Sequence, residues 1–327
     1  MEMRIWSGLM VGLLAVSALV VGAPAARASG DVMDRFLAAA NAEMESELNS
    51  DDRELYLSDL YSRARGQDDP YAWTMLGLIT PKLYPGAETW ATACDYFRTA
   101  AEQGYAPAMH FLGDCYKNGT LLQERADRMM QWYNAAFDEG SWTSFCAIGE
   151  QLMFGLLLRR DPGRGFEMCL EAADNGAAGP SLTIAEALIG GWAGNTPDYA
   201  RAVPYLETAL QAGKPRAAYF LAKLHAEGHH TLRSDEQALQ YADFAAAKGL
   251  VPAYELAARF HFGEIRRDPS RINGDSGWRA FYWATRSTRE DPDTDNKQRA
   301  ELILARLVDA APDDTLLNWQ RRLRTES

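Results

Sequence analysis

The stretch Tyr96-Phe97-Arg98-Thr99-Ala100-Ala101-Glu102-Gln103-Gly104-Tyr105-Ala106-Pro107-Ala108-Met109-His110-Phe111-Leu112-Gly113-Asp114-Cys115-Tyr116-Lys117-Asn118-Gly119 carries a pattern that the chain repeats. Gly104 is followed by Gly140, Gly176, Gly213 and Gly249 at intervals of 36, 36, 37 and 36 residues. Four residues before each glycine stands an alanine (Ala100, Ala136, Ala172, Ala209, Ala245), and eight before it a large side chain (Tyr96, Trp132, Met168, Tyr205, Tyr241). Eight after it comes Leu112, Ile148, Ile184, Leu221 or Ala257, and nine after it Gly113, Gly149, Ala185, Ala222 or Ala258. Offsets of four and eight lie one turn apart on one helical face, on either side of a glycine suited to the left-handed turn past a helix end. The small residues let helix axes approach while Tyr, Trp, Leu and Ile fill the seams. A fixed period of this size predicts stacked helix-turn-helix units, an all-α chain growing along one axis as an α-solenoid.

Composition agrees. A hydrophobic fraction of 47% with frequent alanine suits packed helices, and there are no alternating Val/Ile/Thr-rich runs to suggest strands. Counting back one period from Gly104 reaches Asp68, with Ala64, Ala72, Leu76 and Gly77 at the expected offsets of a degenerate first unit. Five clear units follow, 87–119, 122–155, 161–191, 197–228 and 234–263. The expected organisation is a capping helix within 30–50, the array over 51–263, a charged loop at 264–277, a degenerate helix pair over 278–310, and a polar capping helix at 311–327.

Residues 1–29 read as a secretory signal: Arg4, an apolar run from Ile5 to Gly22, then small residues that place the cut after Ala28 or Ser29. An uncleaved anchor is the competing reading, because the run approaches the ~20 residues that span a bilayer. No cysteine precedes Cys94, which argues against a lipid anchor at the mature N-terminus, and the mature chain is expected to have no stable membrane anchor. Cleavage after Ala28 would leave 31 basic and 44 acidic side chains, a net charge of −13. Nucleic acid is thereby disfavoured, and proteins with basic patches are favoured.

Cys94 and Cys115 lie at nearly equal height on two arms of one hairpin, and Cys146 and Cys169 flank the opposite connection. Four cysteines allow three pairings, and spacing alone leaves these open against four buried thiols. Phosphate-loop, Gly-x-Ser-x-Gly and His-Glu-x-x-His motifs are absent from the sequence. His225, Glu227, His229 and His230, with His261 one period on, form the one set with metal-ligand spacing, but Gly228 should end the helix and separate them; no metal or cofactor is expected.

One column stands out. Ten residues after each repeat position come Leu78, Asp114, Glu150, Glu186, Lys223 and Arg259, acidic first and basic last, with His110 and Tyr219 at plus six and Lys117 at plus thirteen on the same side. This column is expected to line a concave face and to receive a partner segment of matching polarity, its basic end over the acidic residues; Glu186 and Lys223 could pair across a repeat boundary.

The quoted stretch resembles the Sel-one-like repeat, whose pattern is an aromatic pair, Ala-Ala-x-x-Gly, then Ala, Leu-Gly, Tyr and Gly; Gly155 and Gly228 match its closing glycine. The loops Arg159-Arg160-Asp161-Pro162 and Arg266-Arg267-Asp268-Pro269 resemble its inter-repeat segment. The resemblance implies a right-handed superhelix of about six to seven repeats related to tetratricopeptide arrays, acting as a non-catalytic adaptor. Exported bacterial members include periplasmic regulators, envelope scaffolds and proteins aimed at host cells, so a periplasmic or secreted location and an envelope protein partner are implied. A cysteine-rich branch is linked to β-lactamase activity, but Ala101 and Ala108 stand where that branch carries its cysteine pair. The alternative is a cell-wall or glycan-directed hydrolase or binder, with Glu150 and Glu186 as candidate carboxylates and Trp142, Trp192 and Trp278 as candidate sugar-facing rings.

Overall fold

The computed structural model describes residues 31–119, 125–155, 157–191, 196–229 and 233–326. The expected signal segment, Trp192 and His230 lie outside the described residues. Sixteen α-helices account for the described chain: α1 Val32–Glu47, α2 Arg53–Gln67, α3 Pro70–Leu83, α4 Ala87–Glu102, α5 Ala106–Lys117, α6 Arg125–Asp138, α7 Trp142–Phe154 and α8 Pro162–Asp174 in the first half; then α9 Ala178–Ile189, α10 Tyr199–Gln211, α11 Pro215–Glu227, α12 Asp235–Ala247, α13 Pro252–Arg267, α14 Asp275–Glu290, α15 Thr294–Ala310 and α16 Asp313–Glu326. The chain is an all-α solenoid.

Local chemistry explains the helix starts. Asp161, Asp198 and Ser234 cap α8, α10 and α12, each side chain accepting from the backbone N–H three residues on. Such caps stabilise a helix by about 0.5–2 kcal/mol. The periodic glycines take left-handed φ values between +73° and +96°. Asp68, one period before Gly104, has φ +51° and is the one non-glycine with positive φ among the described residues, so the degenerate unit keeps the turn without its glycine.

Helix contacts revise the unit boundaries. The glycine turns join α4 to α5 and α6 to α7, yet the closest pairs are α3–α4, α5–α6 and α7–α8, across the alternate connections. A Cβ on Gly77 would lie 2.4 Å from the Phe97 ring, and one on Gly113 2.5 Å from the Tyr133 ring. Gly149 faces Gly165, backbone against backbone: a Cβ on Gly149 would meet the Gly165 carbonyl at 2.7 Å. The packed unit therefore runs from an odd-numbered helix to the next even one. The glycine at plus nine makes that contact, and the glycine turn links neighbouring units.

The alanines at minus four (Ala100, Ala136, Ala172, Ala209, Ala245) are all 0% exposed, and the side chains at plus eight are buried with them. Disulfides join Cys94 to Cys115 (Cα–Cα 5.9 Å) and Cys146 to Cys169 (Cα–Cα 4.3 Å), so one bridges α4 to α5 between units and the other α7 to α8 within one.

Three terminal features differ from expectation. First, α1 does not extend the stack. It crosses it: Phe36 packs edge-on against Tyr71, Tyr105 and Phe111, while Asp31 accepts from the Trp142 N–H and the Thr143 hydroxyl at the start of α7. Asp34 accepts from the Ala178 N–H (2.6 Å) at the start of α9. Carboxylates at helix N-termini satisfy orphan donors and meet the positive end of the macrodipole, which gives α1 a reason to lie across several repeats. Second, 264–277 is mostly helical: α13 runs to Arg267, and a 3-10 turn, Pro269–Asn273, leads into α14. Asp268 caps that turn through the Ser270 N–H, and Ile272 is buried against the core, so a charged, Gly/Pro-containing segment still folds back as structure. Third, Trp278 is only 5% exposed, packed against Tyr282 with Arg322 over its ring, because α16 closes the end of the array with Trp319 on Phe281.

Gly113→Ala should destabilise the chain by about 1–3 kcal/mol through overpacking on Tyr133, whereas Gly104→Ala, with open space around its Cβ, should cost only the left-handed penalty of about 1–2 kcal/mol. Urea unfolding of both variants measures the difference. Replacing Cys94 and Cys115 together by serine should lower stability by about 2–4 kcal/mol, read by the same titration with wild type under oxidising and reducing conditions.

Candidate functional site

Odd-numbered helices touch one another along the array, as α3–α5, α7–α9 and α13–α15, and so share one surface, which we term the inner face. The predicted column lies on these helices, and the structure gives its members different fates.

At the acidic end the side chains are already engaged. His110, on α5, is only 9% exposed; its Nδ1 shares a hydrogen bond with Ser144 Oγ (2.9 Å) and its Nε2 lies 3.5 Å from Asp114. It is therefore a core residue and not a groove residue, shut in by Phe111 and Tyr133. Burial lowers its pKa, so it is neutral at pH 7. Asp114 accepts from the Tyr133 hydroxyl (2.7 Å) and pairs with Lys117. Burial alone would raise its carboxyl, but His110, Lys117 and Tyr133 outweigh that and hold it below the usual carboxylate range. With His110 neutral, Lys117 is the cation that matters at neutral pH. Glu150 accepts from the Thr183 hydroxyl (3.0 Å), and burial pushes its carboxyl up despite Thr183 and Lys117.

Glu186 pairs with Arg216 through two bonds of 2.8 Å, so Arg216, three residues past Gly213, takes the place expected of Lys223. The geometry is bidentate, yet Arg216 is more than half exposed, which limits the pair to about 0–1 kcal/mol. A basic segment laid over Asp114, Glu150 and Glu186 would have to displace Lys117, Thr183 and Arg216. The two glutamates that a hydrolase would use are engaged by the same partners.

The basic end is open. Tyr219 and Lys223 on α11, Glu255 and Arg259 on α13, and Asn296 and Arg299 on α15 line a cleft of about 220 Å³. Lys223 sits over the Tyr219 ring, 5.7 Å from its centre. A second cleft, of about 340 Å³ and mostly apolar, opens beside column residues Leu78 and Asp114, with Trp90, Phe97 and Phe111 in its walls.

The histidine set is dispersed. His225 stacks on Tyr241, His229 stacks on Tyr199 with its Nε2 3.1 Å from Glu227, and buried His261 holds Asp243 at 2.9 Å. Among the described residues no three His, Cys, Asp or Glu side chains gather as a metal set.

Residues 91–105, 106–141, 147–176 and 215–250 match the Sel1 repeat pattern. The chain therefore carries Sel1 repeats over these residues. The matched spans 106–141 and 215–250 each run from an odd helix through the next even one, the same frame that the packing shows. Among solved structures, a Sel1 repeat protein from Oxalobacter formigenes is similar over 82% of this chain and 98% of its own length, with TM-score 0.52 and 20% identity. A protective antigen of uropathogenic Escherichia coli displaying an SLR fold is similar over 89% of this chain and 61% of its own, with TM-score 0.50 and 20% identity. No curated protein matches the sequence. At these identities the likeness is one of fold. Sel1 repeat proteins are in general protein-interaction scaffolds and typically non-catalytic.

Sequence reading missed Glu255, Asn296, Arg299 and Arg216. Glu255 was within reach, since it occupies the same plus-six position as Tyr219. Arg299 was not, because the 3-10 turn before α14 breaks the period that would have aligned it.

His110 supplies a pH test. The unfolded imidazole takes a proton near pH 6.5 while the folded one resists it, so its contribution is fully present above that pH and is lost as pH falls. Wild type should therefore lose stability relative to His110→Gln between pH 7 and pH 5, measured as the difference between their urea midpoints at each pH.

Proposed function

We propose that the chain is an exported, non-catalytic scaffold of the bacterial envelope, periplasmic or secreted, that holds a partner protein along its inner face. The observation that carries this reading is the inner face itself. Consecutive repeats contribute side chains to one surface, and two clefts, near Leu78 and near Lys223, stand repeats apart on it. Rigid helix pairs hold such positions at fixed separations, so contacts that are weak singly add along an extended ligand.

The export part of the reading is supported by the N-terminal pattern of Arg4, the apolar run to Gly22 and the small residues before Ser29, and by two closed disulfides, which persist in oxidising compartments. Among the described residues no helix is long and apolar enough to cross a membrane. The partner meets a face whose acidic stretch is internally satisfied and whose apolar and basic clefts remain open, so recognition falls on those clefts.

Photo-crosslinking residues placed at Lys82 and Lys223 on the inner face, and at Glu207 on the even helix α10 as control, test this in the native envelope. The expected outcome is one protein crosslinked from both inner positions and not from Glu207. Crosslinks to unrelated proteins from all three positions would refute a defined binding face.

A further inference from the structure

The cleft between α11, α13 and α15 has a chemistry of its own. Lys223, Arg259 and Arg299 come from three successive odd helices and converge on it, in a chain whose net charge is −12. Glu255 forms its inner wall and is buried, its side chain 6% exposed. Its Oε1 lies 3.3 Å from Arg299 Nε and 3.7 Å from Arg259 Nε, charge contacts without a hydrogen bond, which leaves that buried oxygen without a bonded partner. Both contacts run through Nε; Arg299 Nη2 donates to Asn296 Oδ1 (2.5 Å), which leaves the terminal nitrogens of Arg259 and Nη1 of Arg299 as donors. Among the described residues Glu255 is the one carboxylate within ion-pair reach of either arginine, and Lys223 has none. Arg259 leans on the Phe260 ring and Lys223 on the Tyr219 ring, which restrains both side chains while their charges face outward.

Three cations stand against two carboxylates, buried Glu255 and, at the rim, Glu227, which lies 3.1 Å from His229; the surplus of cations leaves charge for an anionic group to complete. Guanidinium edges match the planar, two-oxygen geometry of a carboxylate. A cleft of about 220 Å³ admits one side chain, and Tyr219 and Leu256 supply apolar wall for its methylenes. We propose that this cleft binds the carboxylate of a glutamate or aspartate side chain in an acidic segment of the partner polypeptide, with Glu255 as the positioning residue that draws Arg259 and Arg299 to one side of the cleft. The proposal rests on the reading of the inner face as a protein-binding surface, and it reverses the polarity expected from the sequence: the segment is acidic and lies at the basic end.

The test uses the purified, oxidised mature chain and a fluorescein-labelled, C-terminally amidated octapeptide with two glutamates among apolar residues. The expected result is saturable binding by fluorescence anisotropy. It should weaken about tenfold when the glutamates become glutamines, or when Lys223→Gln or Arg259→Gln is introduced in the protein. Arg259 is exposed and Lys223 half-buried, neither in the core, so each variant's helical circular dichroism and urea midpoint should match wild type. Arg216→Gln, one cation away on the same face, should leave the affinity unchanged. Equal binding of the glutamine peptide overturns the proposal, and so does equal loss in Arg216→Gln, which would reveal diffuse charge attraction. Preference for a neutral peptide with a free C-terminus would also overturn it, by assigning the cleft to a chain end. If peptide binding fails while the inner-face crosslinks persist, the cleft assignment falls alone; if the crosslinks fail, the scaffold reading falls.

Discussion

The structure depends on how closely an odd helix can approach the even helix that follows it. Where a glycine stands at plus nine, the aromatic ring or backbone of the partner occupies the volume a Cβ would need, as Tyr133 does at Gly113 and Gly165 does at Gly149. Later repeats use Ala185, Ala222 and Ala258, all fully buried, for the same contact. This approach makes each pair a rigid unit, and the glycine turn then sets the angle to the next. Side chains on the odd helices are held at the spacing of the stack, and the disulfides reinforce the early repeats, one within a unit and one between two.

Two parts of the chain modify that regular frame and so shape the open surface. Helix α1 lies across the starts of α5, α7 and α9, with Asp31 and Asp34 on backbone donors of α7 and α9 and Phe36 among the aromatics of α3 and α5. Burial raises the Asp31 carboxyl, with Thr143 opposing it. At the other end, the 3-10 turn and α16 close the array over Trp278, Phe281 and Trp319. Between them the inner face is graded. The α5–α9 stretch is internally neutralised, and the α11–α15 stretch presents more cations than carboxylates around a buried Glu255. Electrostatics on this face therefore follows from which charges find partners inside the molecule, and the overall negative charge of the chain does not predict it.

Much of the fold was legible because its determinants are local and repeated. Helix boundaries, the left-handed turn at Asp68 and the buried alanine column all follow from short-range offsets that recur every 36 or 37 residues. The site was legible only in part. Tyr219, Lys223 and Arg259 share a cleft as their common register implies, whereas His110 went to the core and Glu186 to Arg216. A column assigns a direction from the helix axis. It does not assign the partner that arrives from a neighbouring helix or from a segment a hundred residues away, as Asp31 does at Trp142.

The sequence by itself determined the helical period, the likeness to the Sel1 repeat and the turn chemistry, since each is written in residues that are neighbours along the chain or one repeat apart. Only the tertiary structure decided which helices form the packed unit, that α1 crosses the array, and which charges on the inner face are left over. Those outcomes depend on distances of a few ångströms between side chains from different helices, and on the burial that makes one carboxylate, Glu255, cost enough to fix two arginines beside it.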